Sequence, residues 1–297
     1  MMQKDVGIKV FAPAKINLYL HITGRREDGY HCLDSVFLFT GLADELVMTP
    51  ADEMRLVIDG PTSGALAGEA VDDNLVLRAV RLMGEAMGVS QKLDIRLTKN
   101  IPVAAGVGGG SADAAAAMQG CATLWQNKEQ DHRLSSNRMI ELAEHLGADV
   151  PPCLDGKPVR VEGIGEELSS VGAAPDWGIL LANPNVAMPT PAVFKAYKNS
   201  GLPFSAALED GPFWTDVNWL RTVARNDLEA TALALQPEIK MVIDALAALP
   251  GARLARMSGS GATCFALFGS PEEALAAHAD FVKKHPRWWS WAGATFE

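Results

Sequence analysis

The sequence is poor in cysteine. Its four cysteines among 297 residues, Cys32, Cys121, Cys153 and Cys264, stand far apart with no Cys-x-x-Cys pair. That spacing gives no disulfide framework, disfavours a zinc site and fits a reducing compartment, so a cytoplasmic location is expected. No run of Lys and Arg stands out, and 26 basic against 36 acidic residues leave a formal charge of −10. Nucleic acid is therefore not expected as a partner. No eighteen residues run apolar and uncharged, and the opening MMQKDVGIKVFAP lacks an apolar signal-like stretch; neither a membrane span nor a secretory leader is expected. Repeats and low-complexity tracts are also missing. What is there is a globular composition, 48% hydrophobic, over a length that suits two modest domains.

Two patterns alternate along the chain. KINLYLHI (15–22) sets Ile16, Leu18, Leu20 and Ile22 against polar neighbours, and KLDIRLT (92–98) does the same with Leu93, Ile95 and Leu97, so both are predicted as half-buried strands. DNLVLRAVRLMGEAM (73–87) carries Leu75, Ala79, Leu82 and Ala86 at helical spacing, and SNRMIELAEHL (136–146) begins at a Ser/Asn cap and stops at Gly147. A small, polar, proline-broken stretch at 165–178 is the candidate boundary, which predicts domains at 1–170 and 171–297. Beyond it follow a strand GILLANP, a helix around NDLEATALALQPEIKMVIDALAAL, a strand ATCFALF and a further helix. The expected class is α+β.

The densest signal is IPVAAGVGGGSADAAAA (101–117), glycines ending at Ser111 before an alanine-rich run that favours a helix. A bare loop feeding a helix N-terminus gathers free N–H groups and the positive end of the helix dipole, the makings of a phosphate cradle. A tight turn before a closely packed helix reads the same residues equally well. No Lys-Ser or Lys-Thr follows, which excludes a Walker A loop, and the third glycine of the dinucleotide fingerprint is missing.

The stretch resembles the P-x-x-x-G-[LV]-G-G-G-S loop of the galactokinase, homoserine kinase, mevalonate kinase and phosphomevalonate kinase superfamily. FAPAKINLYLHI resembles the superfamily's opening motif. GRREDGYHCLDSVF (24–37), DDNLVLRA, LGADVPPCL (146–154), NPNVAMPTPAVF (183–194) and SGSGATCFALF (258–268) resemble, in order, motifs of the family whose acceptor is 4-diphosphocytidyl-2-C-methyl-D-erythritol, in non-mevalonate isoprenoid synthesis. The resemblance covers roughly residues 8 to 270. It implies a ribosomal-protein-like first domain with a left-handed crossover, a ferredoxin-like second domain, ATP with Mg²⁺, and a cytidine-diphosphate-linked polyol as acceptor.

The same resemblance distributes roles. Pro102, Val103, Ala104, Ala105, Gly106, Val107, Gly108, Gly109, Gly110, Ser111 and Ala112 are implied to hold the ATP phosphates, and Asn74, Leu75 and Lys99 the adenine. Ala104, Ala105 and Ala112 depart from the glycines and serine of some relatives; a methyl group is accommodated where φ stays negative. Asp149 is implied as the base. Read from its surroundings alone, past a helix end and before Pro151, the turn-forming role comes first. Lys15, which by itself reads as a solvated surface lysine, is implied to keep Asp149 ionised and to stabilise the alkoxide. Tyr30, His31 and Phe194 are implied to stack on and read a cytosine, with Thr190 beside Phe194 and Asn17 near the alcohol. SGSG at 258–261 reads equally as a loop closing over the site or as a tight turn. Which residues hold the metal is left open by the motifs. The tail HPRWWSWAGATF reads as core packing or as a homodimer surface, and the sequence leaves both open.

Overall fold

The computed structural model describes residues 7–66, 73–125, 134–209 and 211–296; the first six residues of the opening stretch lie outside them. The chain forms two compact units that are not consecutive in sequence. One takes the chain up to Ala14 together with Ala43–Val103 and Gly109–Asp155, the other Lys15–Leu42, Ala104–Gly108 and Gly156–Glu297. Long strands β1 (Ile8–Arg25) and β2 (His31–Pro50) each contribute one part to either unit.

In the first unit, β3 (Arg55–Asp59) leads through α1 (Leu75–Met87) to β4 (Leu93–Thr98), which it pairs in parallel. The other edge of β4 runs antiparallel to Glu45–Pro50 of β2. As the alternation predicts, Leu93, Ile95 and Leu97 are buried and their neighbours turn outward. Helix α1 starts where the Asn74 side chain accepts from the Val76 N–H and ends at Gly88 in the left-handed conformation. Its buried stripe is Val76, Ala79, Val80, Met83 and Met87. The stripe lies rotated by about one position from the predicted Leu75, Ala79, Leu82 and Ala86, because adjacent apolar pairs make a band too wide for periodicity to centre. Helix α2 (Gly109–Leu124) buries Ala112 and Ala114–Ala117. Methyl-sized side chains allow close approach on every face, and at Gly120 a Cβ would lie 2.3 Å from the Met48 sulfur. The unit closes with α3 (Ser136–Glu144) and the single turn α4 (Val150–Cys153).

In the second unit, β5 (Val159–Gly163) pairs antiparallel with Leu33–Phe37 of β2 and with β6 (Glu167–Ser170). The polar stretch expected to be a linker thus contains a strand. Fully buried β7 (Gly178–Asn183) precedes α5 (Thr190–Ser200), α6 (Val217–Thr222), α7 (Glu229–Leu235), α8 (Glu238–Ala247), β8 (Leu254–Met257), β9 (Cys264–Phe268), α9 (Pro271–Lys284) and β10 (Trp289–Ala294). The strands make an antiparallel sheet ordered β10-β7-β9-β8. The long helix predicted from Asn226 onward is broken into α7 and α8 at Gln236, whose φ of −138° is not helical. The following Pro237 disfavours helical backbone in the residue before it. The core joins Leu180, Ala182, Val193, Leu228, Ile239, Val242, Leu246, Phe268 and Phe281. The tryptophan-rich tail forms edge strand β10, and Trp288 packs on that core, its ring 4.2 Å from the His285 ring and parallel to it.

Candidate active site

Within the second unit, Ala104–Gly108 folds against the Ser-Gly turn that precedes β9. Ala105 and Gly106 carbonyls accept from the Thr263 N–H at 3.2 Å and the Ser258 hydroxyl at 3.2 Å, and the Lys15 N–H donates to the Val107 carbonyl at 3.0 Å. Gly106 has φ +76°, and a Cβ there would lie 2.5 Å from the Gly261 oxygen; only glycine lets the two turns meet. Ala104 corrects an expectation. Its φ is +53°, so the methyl does not sit at negative φ and the loop carries a strained alanine, at a cost of about 1 kcal/mol or more.

Lys15 is buried rather than solvated. Its ammonium donates to Asn17 Oδ1 at 2.9 Å and stands 4.1 Å over the Phe37 ring. Asn17 is fixed on three sides: its amide nitrogen donates to Ser35 Oγ, its backbone N–H to Ser258 Oγ, and its carbonyl oxygen receives Lys15. Ser258 touches both Asn17 and the Gly106 carbonyl, so the Ser-Gly turn joins the lysine motif to the glycine loop. Gly108 sits against the lysine stem, where a Cβ would be 2.8 Å from Lys15 Cγ.

Within the first unit, Gly109, Gly110, Ser111 and Ala112 open α2. Gly109 lies on Ile101 and the Lys99 ammonium, Gly110 on the Leu75 side chain. Asn74 spends its side-chain oxygen on the α1 cap. Lys99 is buried and its ammonium is held by Asp44 and by Asp113 at 2.6 Å. Asp149 is the residue before α4, in helical backbone geometry, and its side chain makes no capping bond to that turn.

On the second unit, the His31 ring lies 5.4 Å from Phe194 and 5.8 Å, edge-on, from Tyr197. Burial, and then Arg25 and Lys198 nearby, push His31 below the ordinary histidine range, which keeps the imidazole neutral with one donor and one acceptor nitrogen. Tyr30 is exposed, on a turn where its N–H bonds Asp28. The Thr190 hydroxyl meets Ser260 Oγ at 2.8 Å, linking α5 to the Ser-Gly turn.

Sequence reasoning missed three anchors. The Asn226 amide nitrogen donates to both the Met257 and Gly259 carbonyls, fixing the ends of the Ser-Gly turn. Buried Arg256 donates to the Leu18, Leu220 and Ala224 carbonyls, and burial pushes its guanidinium down to about 10. Asp34 accepts from Tyr19, from Arg160 twice and from the Leu208 N–H. Burial alone raises its carboxyl, but Arg160, Leu208 and Tyr19 outweigh that and hold it below the usual carboxylate range. A charged residue inside a strand of apolar neighbours is the signal that would have found Asp34 and Arg160.

Comparison with known proteins shows the family of the chain. The GHMP kinase N-terminal domain matches residues 74–157 and the GHMP kinase C-terminal domain residues 206–286. The chain is 47% identical over 285 residues to a 4-diphosphocytidyl-2-C-methyl-D-erythritol kinase of Cereibacter sphaeroides, covering 95% of this chain and 96% of the relative. It is 45% identical to that of Paramagnetospirillum magneticum, with 95% and 96% covered. A crystal structure of a 4-(cytidine 5'-diphospho)-2C-methyl-D-erythritol kinase superposes with a TM-score of 0.78 at 33% identity, covering 98% of this chain and all of the other. A homoserine kinase from Cytophaga hutchinsonii shares the fold at a TM-score of 0.68 and 21% identity, over 100% and 96%.

Proposed function

Because the chain belongs to the GHMP kinases and, within them, to the family of 4-diphosphocytidyl-2-C-methyl-D-erythritol kinases, we propose that it transfers the γ-phosphoryl group of ATP to the 2-hydroxyl of 4-diphosphocytidyl-2-C-methyl-D-erythritol. It is an ATP-dependent small-molecule kinase of isoprenoid precursor synthesis. The observation that carries the acceptor is the 47% identity spanning 95% of the chain, against 21% for the homoserine kinase.

In-line phosphoryl transfer asks the protein to align donor and acceptor, to offset charge and to receive one proton. Backbone N–H groups of the glycine loop and of the start of α2 receive the β- and γ-phosphates; Asn74 and Leu75 border the adenine. Magnesium, bound with ATP, would supply positive charge to the phosphates that the backbone donors offset only partly. Among the described residues no three carboxylate, histidine or cysteine side chains cluster to cage an ion. The acceptor hydroxyl attacks the γ-phosphorus as the bond to the ADP oxygen breaks, and its proton passes to the Asp149 carboxylate. Lys15, oriented by Asn17, offsets the charge growing on the alkoxide. Phe194 and His31 recognise the cytosine, one by its face and one by its ring nitrogens, with Tyr30 and Thr190 at the rim. No helix among the described residues is long and apolar enough to cross a membrane.

Stacking on an aromatic ring is worth about 1 to 3 kcal/mol per base, so Phe194→Ala is expected to weaken acceptor binding about tenfold or more while ATP binding holds. Calorimetry with the cytidyl acceptor, its uridyl analogue and Mg-ATP checks this. Equal affinity for the two bases would mean that the base edge is not read, and a folded sample that fails to bind Mg-ATP would remove the kinase reading.

A further inference from the structure

We propose that Asp44, Lys99 and Asp113 clamp the two stems of the phosphate loop, and that Asp113 is a positioning residue for ATP. The inference rests on reading 102–112 as the loop that receives the phosphates.

The loop leaves β4 through Lys99, Asn100 and Ile101 and returns in the first turns of α2. Asp44, on β2, fixes the outgoing stem: its Oδ1 accepts from the Asn100 N–H at 2.5 Å and the Ile101 N–H at 2.8 Å. Asn100 also donates to the Ala43 carbonyl, and Thr62 to that of Ile101. The other oxygen of Asp44 takes Lys99, whose ammonium reaches across to Asp113 Oδ2 at 2.6 Å, on the returning stem. One cation thereby ties the residue before the loop to the helix after it. All three residues are almost fully buried, at 0%, 3% and 4% exposure for Asp44, Lys99 and Asp113.

Such a cluster is an expensive way to hold a fold together, since each buried ion loses its hydration. Its placement is unfavourable as well: the ammonium lies 3.5 Å from where a Gly109 Cβ would be, at the positive end of α2. The Asp44 carboxylate offsets it, and Asp113 accepts from it. Their bonds end on the loop stems rather than joining core layers, which fits a device that fixes the stem backbone before a ligand arrives. Burial, with Asp44 adding to it against Lys99, pushes Asp113 up to about 8; its Oδ1 finds no hydrogen-bond partner among the described residues. An uncharged amide therefore suits this position.

Steady-state kinetics on Asp113→Ala and Asp113→Asn tests the clamp. The alanine protein is expected to raise the KM for ATP about tenfold or more, the scale on which outer partners of a ligand site act, with the acceptor KM unmoved. The asparagine protein, which still accepts from Lys99, is expected to restore it. A folded alanine protein with an ATP KM within about twofold of wild type, or with both KM values rising together, would overturn the proposal. Should the alanine protein not fold, hydrogen exchange on the wild type decides: slow exchange of the Asn100 and Ile101 amides before ATP is added supports the clamp, and protection that appears only with ATP overturns it. Wild-type protein that binds no Mg-ATP at all would instead remove the loop reading on which the clamp rests.

Discussion

Asp149→Asn is expected to lower turnover about 10²-fold to 10⁴-fold, about 3 to 5 kcal/mol of barrier, with little change in the affinity for either substrate. The amide keeps the size and most hydrogen bonds of the carboxylate but cannot take the hydroxyl proton. Lys15→Met is expected to damage turnover too, and the double variant to lose less than the sum, because the two groups act on one developing charge. Phosphoryl transfer through a loose transition state removes the proton late, which favours the smaller end of the range. Single-turnover rates with both substrates saturating give the answer. A rate within about threefold of wild type would leave Asp149 only a place in the turn before α4.

Asp34→Ala has the largest expected effect on stability. The substitution leaves the Arg160 guanidinium, 9% exposed in its side chain, facing a vacated buried site, and removing one partner of such a pair costs about 3 to 5 kcal/mol. The Tyr19 hydroxyl and the Leu208 N–H lose their acceptor in the same step. Denaturant unfolding followed in the second unit measures the loss. Because the folded Asp34 carboxyl lies below its usual range, the wild-type contribution is present above the ordinary carboxylate pKa and is lost as pH falls through the folded value; the difference between the two proteins is expected to shrink in acid. A difference below about 1 kcal/mol at neutral pH would mean that the other partners of Arg160, Glu162 at 3.2 Å and the Leu208 carbonyl at 2.7 Å, suffice to hold its charge.

How far the site was legible from sequence depends on the kind of interaction. Alternation in 92–98 is local and appears as read; the helix cap, also local, falls on Ser135, one residue before the Ser136–Asn137 pair that marked it in the sequence. The glycine loop announced itself by composition. Its backbone did not: Ala104 takes φ +53°, and the next two residues, Ala105 and Gly106, are held through their carbonyls by Thr263 and Ser258, far away in sequence. Lys15 read as a surface residue on residue type alone, yet it is buried, because Asn17 and Phe37 supply partners that a one-dimensional pattern cannot place. Lys99 gave no sign in one dimension of the partners of its ammonium, Asp44 and Asp113, 55 and 14 residues away. Asn226 looked like the start of a helix, and its amide instead holds the Ser-Gly turn. Long-range polar anchors are what single-sequence reading loses.

Acceptor competition distinguishes the cytidyl polyol from the acceptors of related kinases. Purified protein with Mg-ATP is offered 4-diphosphocytidyl-2-C-methyl-D-erythritol, homoserine and mevalonate in separate coupled assays of ADP release, with phosphorus NMR on each product. The account predicts rapid turnover with the cytidyl polyol alone and a new phosphomonoester on its 2-hydroxyl. Turnover of homoserine or mevalonate at a comparable kcat/KM, or no phosphorylation of the cytidyl polyol by folded protein that binds Mg-ATP, would contradict it.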